Sequence, residues 1–302
     1  MVMIVDSHTH PFTFPSMLDL SDKIKTTEDI AKFRSRYPHL SLKKLESIEK
    51  PIDIVDALVM DMDRYGVQKA VIQPIPNVGA EQVALAVAKH PKRLFGLCPL
   101  GETFELPPKK YQLKDDLEMR LSEGVTKYGL KGIAEVHLGS FANEAEKIPT
   151  NMVPLLNVLA KHRIPLLVHT GWSQHAGEIE LRASNPIYLD NVAARYPEVP
   201  VILAHMGRGM NYFFEPALAV ALRNSNVYLD TADSSTEHIR IAAERLGTDR
   251  MMFGTDWSPT QRFIKQPANV FGSNLNRIYE AIHNETDLEC VLGKTAEQLY
   301  RI

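Results

Sequence analysis

The 302-residue sequence has only two cysteines, Cys98 and Cys290. They are too few and too far apart for a disulfide framework or a CxxC metal site, and we read them as reduced, buried thiols. Positive charge is not in excess: 34 Lys+Arg stand against 37 Asp+Glu, a net charge of −3. A chain without a basic excess is a poor partner for nucleic-acid phosphates. No apolar run reaches the length of about 18 residues that a membrane-spanning helix needs. The opening MVMIVDSHTH has no basic stretch and turns polar at Asp6, unlike a secretory signal. Repeats and low-complexity tracts are missing. So is a GxGxxG after any strand, which removes support for a dinucleotide-binding open sheet. What remains is an ordinary globular composition, 44% apolar and 24% charged. We expect a cytoplasmic protein with a small-molecule partner and no nucleic-acid or membrane partner.

Short β-branched runs recur along the chain. They predict eight strands, at 2–8, 69–75, 94–100, 130–138, 165–171, 200–206, 227–233 and 251–257. Most are near-continuous apolar runs, as in a parallel sheet covered on both faces. Between them lie helical patterns such as IVDALVMDMDRYG, NMVPLLNVLAKHR and EHIRIAAERLG. Eight such alternations predict a single (β/α)8 barrel domain over residues 1–302. Successive strand starts are 24 to 36 residues apart except for the first step of 67. The excess falls in residues 11–50, an insertion after the first strand. In a barrel it leaves the face where active sites lie, and it is read as a lid.

The histidines are not scattered evenly. His8 and His10 are two apart at the end of the first strand, so both imidazoles share one side of it. His169 ends the fifth strand, His205 the sixth, and Asp256 the eighth. A barrel gathers these strand ends on one face. Four imidazoles and a carboxylate suit a divalent transition ion, Zn²⁺ first, with Mn, Fe, Ni or Co as alternatives. On the same rim, Arg208 offers a fork of donors to a substrate carboxylate. His175 and Trp172 follow their strands there, and Trp172 and Trp257 either wall a pocket or pack loops on the barrel. Asp6 shares the side of His8 and His10 and either contacts the outer nitrogen of a ligand or caps the strand. Gln73 and Asp233 end other strands. His39, His90, His162, His238 and His283 fall on helices or outer loops and are read as surface residues.

The segments DSHTH, VHTGW, LAHMG and FGTDW, in that order, resemble the amidohydrolase superfamily. More narrowly they resemble its amidohydrolase-related branch, which includes aminocarboxymuconate semialdehyde decarboxylase. The resemblance runs from the first strand to the closing LGKTAEQLYRI. It implies His8, His10, His169 and Asp256 as metal ligands. His205 would lie beside them, as a second-metal ligand or a group that orients substrate. The family's closing GxNA is here GKTA, with Thr295 in place of Asn. In the fourth strand, KGIAEVHLG, Glu135 resembles the bridging Glu of one branch and His137 the fourth-strand His of some mononuclear relatives. Glu135 is therefore either a ligand shared by two ions or an acceptor that orients a ligating His, which leaves one or two ions per chain. His137, Trp172 and Arg208 are carried as substrate contacts. Relatives are often dimers, so a homodimer stays open.

The main expectation is hydrolysis of a small amide, ester or lactone. A divalent ion lowers the pKa of water to about 7. Asp256 would take the proton of the attacking water, and His205 would stabilise the developing oxyanion. The alternative is a non-oxidative decarboxylase of an aromatic or unsaturated carboxylic acid, with Asp256 handling a proton at carbon.

Overall fold

The computed structural model describes residues 2–12, 53–75, 78–100, 116–142, 144–172, 181–259 and 269–302. The insertion beyond Phe12 up to residue 50, His39 and His175 lie outside them. Its strands are β1 (Val5–Thr9), β2 (Lys69–Ile72), β3 (Leu94–Gly96), β4 (Ile133–His137), β5 (Leu166–His169), β6 (Val201–Ala204), β7 (Val227–Asp230) and β8 (Met251–Met252). All pair in parallel, in the orders β1-β2-β3 and β4-β5-β6-β7-β8. Two single parallel bridges join these arcs, Cys98 to Ile133 and Thr9 to Trp257. The ring is thereby closed in sequence order, as expected for a (β/α)8 barrel.

Each strand feeds a helix. The main ones are α1 (Ile54–Tyr65), α2 (Ala80–Lys89), α3 (Leu117–Thr126), α4 (Val153–His162), α5 (Asp190–Arg195), α6 (Asn211–Arg223), α7 (Thr236–Leu246), α8 (Val270–Ala281) and α9 (Thr295–Tyr300). α1 shows why these segments are helical. The Asp53 carboxylate accepts from the backbone N–H of Val55 and Asp56, and Gly66 ends the helix in the left-handed region. Val55, Leu58, Val59 and Met62 recur at three and four positions and are buried. Burying each of Leu58 and Met62 contributes about 1.5–3 kcal/mol.

The core has two layers. The larger lies between strands and helices. The smaller takes Val5, Val71, Ala134, Leu167, Ile202 and Met252 from six strands and Leu97 from just after β3, and Ala296 and Tyr300 of α9 close it. This layer fills the ring below the polar strand ends.

The strands are shorter than the apolar runs suggested. β8 covers two residues, because Phe253 N–H donates to Val291 O and Gly254 N–H to Thr231 Oγ1 and not to the neighbouring strand's backbone. The residues after each ladder form the loops that carry the polar groups. His238 is not a surface residue. It is 5% exposed, stacks on Phe214 with ring centroids 4.0 Å apart, and its Nε2 donates to Asn211 Oδ1 at 2.8 Å. The helical pattern put it on α7 but did not show that α6 packs against that face. Cys98 is buried and Cys290 half-buried, and both are free thiols.

Candidate metal centre

β1 and β8 meet at the polar end of the ring. Ser7 N–H donates to Phe253 O, Asp256 N–H to His8 O and His10 N–H to Trp257 O, at 2.7–2.9 Å. The Asp6 carboxylate accepts from Thr255 N–H at 3.1 Å, Thr255 Oγ1 at 2.5 Å and His8 N–H at 3.0 Å. Burial pushes the Asp6 pKa up to about 7, against these hydrogen bonds. Asp6 thus ties two backbone segments together, the capping role that is one of the two readings open for it.

The outer nitrogen of a ligand is served by Asp230, at the end of β7. Its Oδ2 lies 3.1 Å from His8 Nδ1 and accepts from Ser7 Oγ, while Oδ1 accepts from Ala232 N–H at 2.7 Å. A carboxylate there keeps the proton on Nδ1 and leaves a lone pair on Nε2. Gly254 makes room for it: a Cβ at this position would stand 2.6 Å from Asp230 Oδ2 and 2.9 Å from His8 Cβ. The sequence reading chose Asp233 in this segment and missed Asp230. Period-two alternation along VYLD, ending on an acidic residue, was the available signal.

His8 Nε2 lies 3.2 Å from His10 Nε2. Glu135 Oε2 is 3.9 Å from the first and 3.6 Å from the second. Asp256 Oδ1 is 3.8 and 3.5 Å away from the same pair. Five distances among these four atoms run from 3.2 to 3.9 Å. A tetrahedron of ligand distances 2.0–2.2 Å has edges of about 3.3–3.6 Å, and the triads His8, His10 and Asp256, and His8, Glu135 and His205, are each close enough to hold a divalent ion. The electrostatics agree. Burial lowers the His8 pKa, but Asp230, Glu135 and Asp256 more than offset it and push it up to about 10. The carboxylates thus favour positive charge at this point.

The second oxygen of Glu135 faces the other way. Oε1 is 2.9 Å from His169 Nδ1 and 3.5 Å from His205 Nε2. Burial holds the His169 pKa down at about 3 despite Glu135. His205 Nδ1 donates to Ala232 O at 3.2 Å, which aims Nε2 inward. The His137 ring lies 4.8 Å from that of His169. The structure therefore brings His8, His10, Glu135 and Asp256 together on one side of a carboxylate, and His169 and His205 on its other.

A cation sits above the cluster. Arg208 Nη2 donates to Asp233 Oδ2 at 2.9 Å and to Asp256 Oδ2 at 3.3 Å. Burial opposes its charge, but Asp256 and Asp233 more than compensate and raise its pKa. Trp172 Nε1 donates to Arg208 O at 3.2 Å, with the guanidinium 5.9 Å from its ring centroid. Trp257 is fully buried and donates to Asp61 Oδ2, so it packs β8 on α1 and walls no pocket. Gln73 is buried too, its Nε2 donating to Ser7 O. His205, Met206, Arg208, Asp233 and Asp256 all have positive φ. Such backbone costs about 1–3 kcal/mol per residue and gathers at functional sites.

The model of the family described as Amidohydrolase matches residues 5–302. The chain belongs to the amidohydrolase family. Among the curated proteins nothing matches this amidohydrolase. Solved structures do. One is a 2,6-dihydroxybenzoate decarboxylase in complex with 2,6-dihydroxybenzoate, with TM-score 0.67, 16% identity and 100% of both chains covered. Another is 5-carboxyvanillate decarboxylase of Novosphingobium aromaticivorans with bound manganese and a nitrobenzoic acid. Its TM-score is 0.66 and its identity 14%, with 100% of this chain and 97% of that one covered. A third is a probable 2-pyrone-4,6-dicarboxylic acid hydrolase of Acinetobacter baumannii, with TM-score 0.59, 14% identity and 99% of both chains covered. At such identities the likeness is one of fold. No helix among the described residues is long and apolar enough to cross a membrane.

Proposed function

We propose that this amidohydrolase is a metal-dependent, non-oxidative decarboxylase of a small aromatic or unsaturated carboxylic acid. The observation that carries the reading is Arg208, a cation held 3.3 Å from the same Asp256 whose other oxygen joins the ligand cluster. An acid lying on the cluster meets a guanidinium at its edge. Decarboxylases of this fold act on such acids, which supports the reading. His8, His10, Glu135 and Asp256 would hold the ion, with Zn²⁺ or Mn²⁺ suited to two imidazoles and two carboxylates. Such an ion supplies Lewis acidity toward a substrate oxygen. Asp256 delivers a proton to the carbon that bears the carboxylate. The carbon–carbon bond then breaks, its electron pair stays with the organic fragment, and CO2 leaves. Solvent restores the proton to Asp256. Arg208 orients the acid, and His205 orients a second oxygen of the substrate.

Hydrolysis is the second reading, favoured by the two faces of Glu135. A second ion would be held by Glu135, His169 and His205, and two ions would suit attack by water on a lactone or ester. One experiment separates the two. The metal-loaded protein is assayed for metal per chain and for CO2 release from a panel of aromatic and dienoic acids. CO2 release that Asp256→Asn lowers by about 10²–10⁴-fold with the fold retained supports the first reading. Ester or lactone hydrolysis without CO2, at two ions per chain, overturns it in favour of the second.

A further inference from the structure

A second place for a cation lies beside the first. His205, Asp233 and Asp256 each bring one ligand atom within 4.8 Å of the others, close enough to hold a divalent ion. His205 Nδ1 donates to Ala232 O at 3.2 Å, which leaves the lone pair on Nε2. Asp256 belongs to both places. Its Oδ1 faces the His8 and His10 imidazoles, and its Oδ2 meets Arg208. This second place already contains a positive charge. Arg208 Nη2 donates to Asp233 Oδ2 at 2.9 Å and to Asp256 Oδ2 at 3.3 Å. Burial works against that charge, and Asp256, Asp233 and Glu135 offset it.

The backbone brings these four residues together. His205, Arg208, Asp233 and Asp256 all have φ between +52° and +65°. Among the described residues, the other non-glycine positive values belong to Met206, between the first two, and to Arg163 and Arg301, which end α4 and α9. Left-handed backbone at four converging side chains is imposed by the structure around it. Arg208 is also held from outside. Trp172 Nε1 donates to its carbonyl at 3.2 Å, and a Cβ on Gly171 would stand 2.9 Å from Arg208 Cβ. Ser234 Oγ donates to His205 O at 2.8 Å and joins the two loops.

An ion and a guanidinium cannot share the place. Like charges a few Å apart repel strongly away from bulk water, and a guanidinium has no lone pair with which to coordinate a metal. We infer that Arg208 fills a second cation position formed by His205, Asp233 and Asp256, and so keeps a metal ion out of it. The arginine gives the centre the charge of a further ion without its Lewis acidity. A guanidinium keeps its proton, so this charge does not depend on metal supply. The inference needs neither reading of the reaction. The place shares only His205 with the one on Glu135, His169 and His205.

The test is elemental analysis of Mn²⁺ per chain in the folded, Mn²⁺-loaded protein, with its EPR spectrum. Arg208→Ala is expected to bind about one equivalent more than the wild type. Asp256 offers one oxygen to each place, so the added ion should couple magnetically to its neighbour and change the spectrum. Arg208→Gln, which keeps much of the stem and loses the charge, carries the same expectation where alanine harms the fold. Adding Asp233→Asn to either variant removes a ligand and should return the count to that of the wild type. An unchanged count in both Arg208→Ala and Arg208→Gln overturns the inference. So does an added ion that persists without the Asp233 carboxylate, because it then binds elsewhere. The wild-type count separates decarboxylation from hydrolysis, and the rise above it decides the role of Arg208.

Discussion

Gly254→Ala is the sharpest test of how the centre is supported. A Cβ there would stand 2.6 and 2.8 Å from the two Asp230 oxygens and 2.9 Å from His8 Cβ. All three are closer than atoms pack, and the Asp230 oxygens, although side-chain ends, are held by Ser7, His8 and Ala232. Asp230 must retreat, and its 3.1 Å contact with His8 Nδ1 goes first. Overpacking of this kind costs about 1–3 kcal/mol. At about 2–4 °C per kcal/mol, Tm should fall by about 2–12 °C. Loss of the carboxylate behind a ligating imidazole should weaken metal binding about 10–100-fold. Chelator competition on the purified protein reads the affinity, and thermal unfolding with metal removed reads the packing. Asp230→Asn should reproduce the affinity loss without the clash. Gly139→Ala is the control, since its Cβ would meet only Ala183 Cβ at 3.4 Å. A Gly254→Ala protein with wild-type metal affinity and an unchanged Tm would refute the argument.

Further expectations concern the ion, the barrel seam and pH. Glu135→Gln weakens the cluster on both faces, so the stabilisation on adding metal, about 2.7 kcal/mol at 100 times Kd in the wild type and read as a rise in Tm, should shrink; an undiminished rise shows that Glu135 is no ligand. Trp257→Phe removes the donor to Asp61 Oδ2 and should cost about 1–3 kcal/mol in denaturant unfolding, whereas a neutral result means the bond is dispensable. Burial holds the His238 pKa below its ordinary 6.5, against the pull of Glu237. The unfolded chain therefore takes the proton first, and stability should fall as pH drops below about 6.5. His238→Asn should flatten that fall, and parallel stability–pH curves would exclude the account.

The barrel and the outline of its site were legible because both rest on local pattern. Apolar runs alternating with helical ones specify parallel units, and His8, His10, His169, His205 and Asp256 end strands that such a fold must gather. Other features depend on partners distant in sequence. Asp230 lies 222 residues from His8, and nothing in VYLDTAD says that it, and not Asp233, meets an imidazole. The burial of His238 depends on Phe214 of the preceding helix. The short reach of β8 depends on Val291 and Thr231, which take the N–H groups of Phe253 and Gly254 and which a run of apolar residues does not reveal.

What the sequence determined by itself is therefore the fold class, the face that bears the chemistry and the kind of group found there. Periodicity and strand-end position are properties of a chain read one segment at a time. Only the tertiary structure decided how those groups divide. Glu135 presents one oxygen to His8 and His10 and the other to His169 and His205. Asp256 is shared between that cluster and Arg208. Ring closure sets these distances, because it fixes the angle at which each strand end enters a common space.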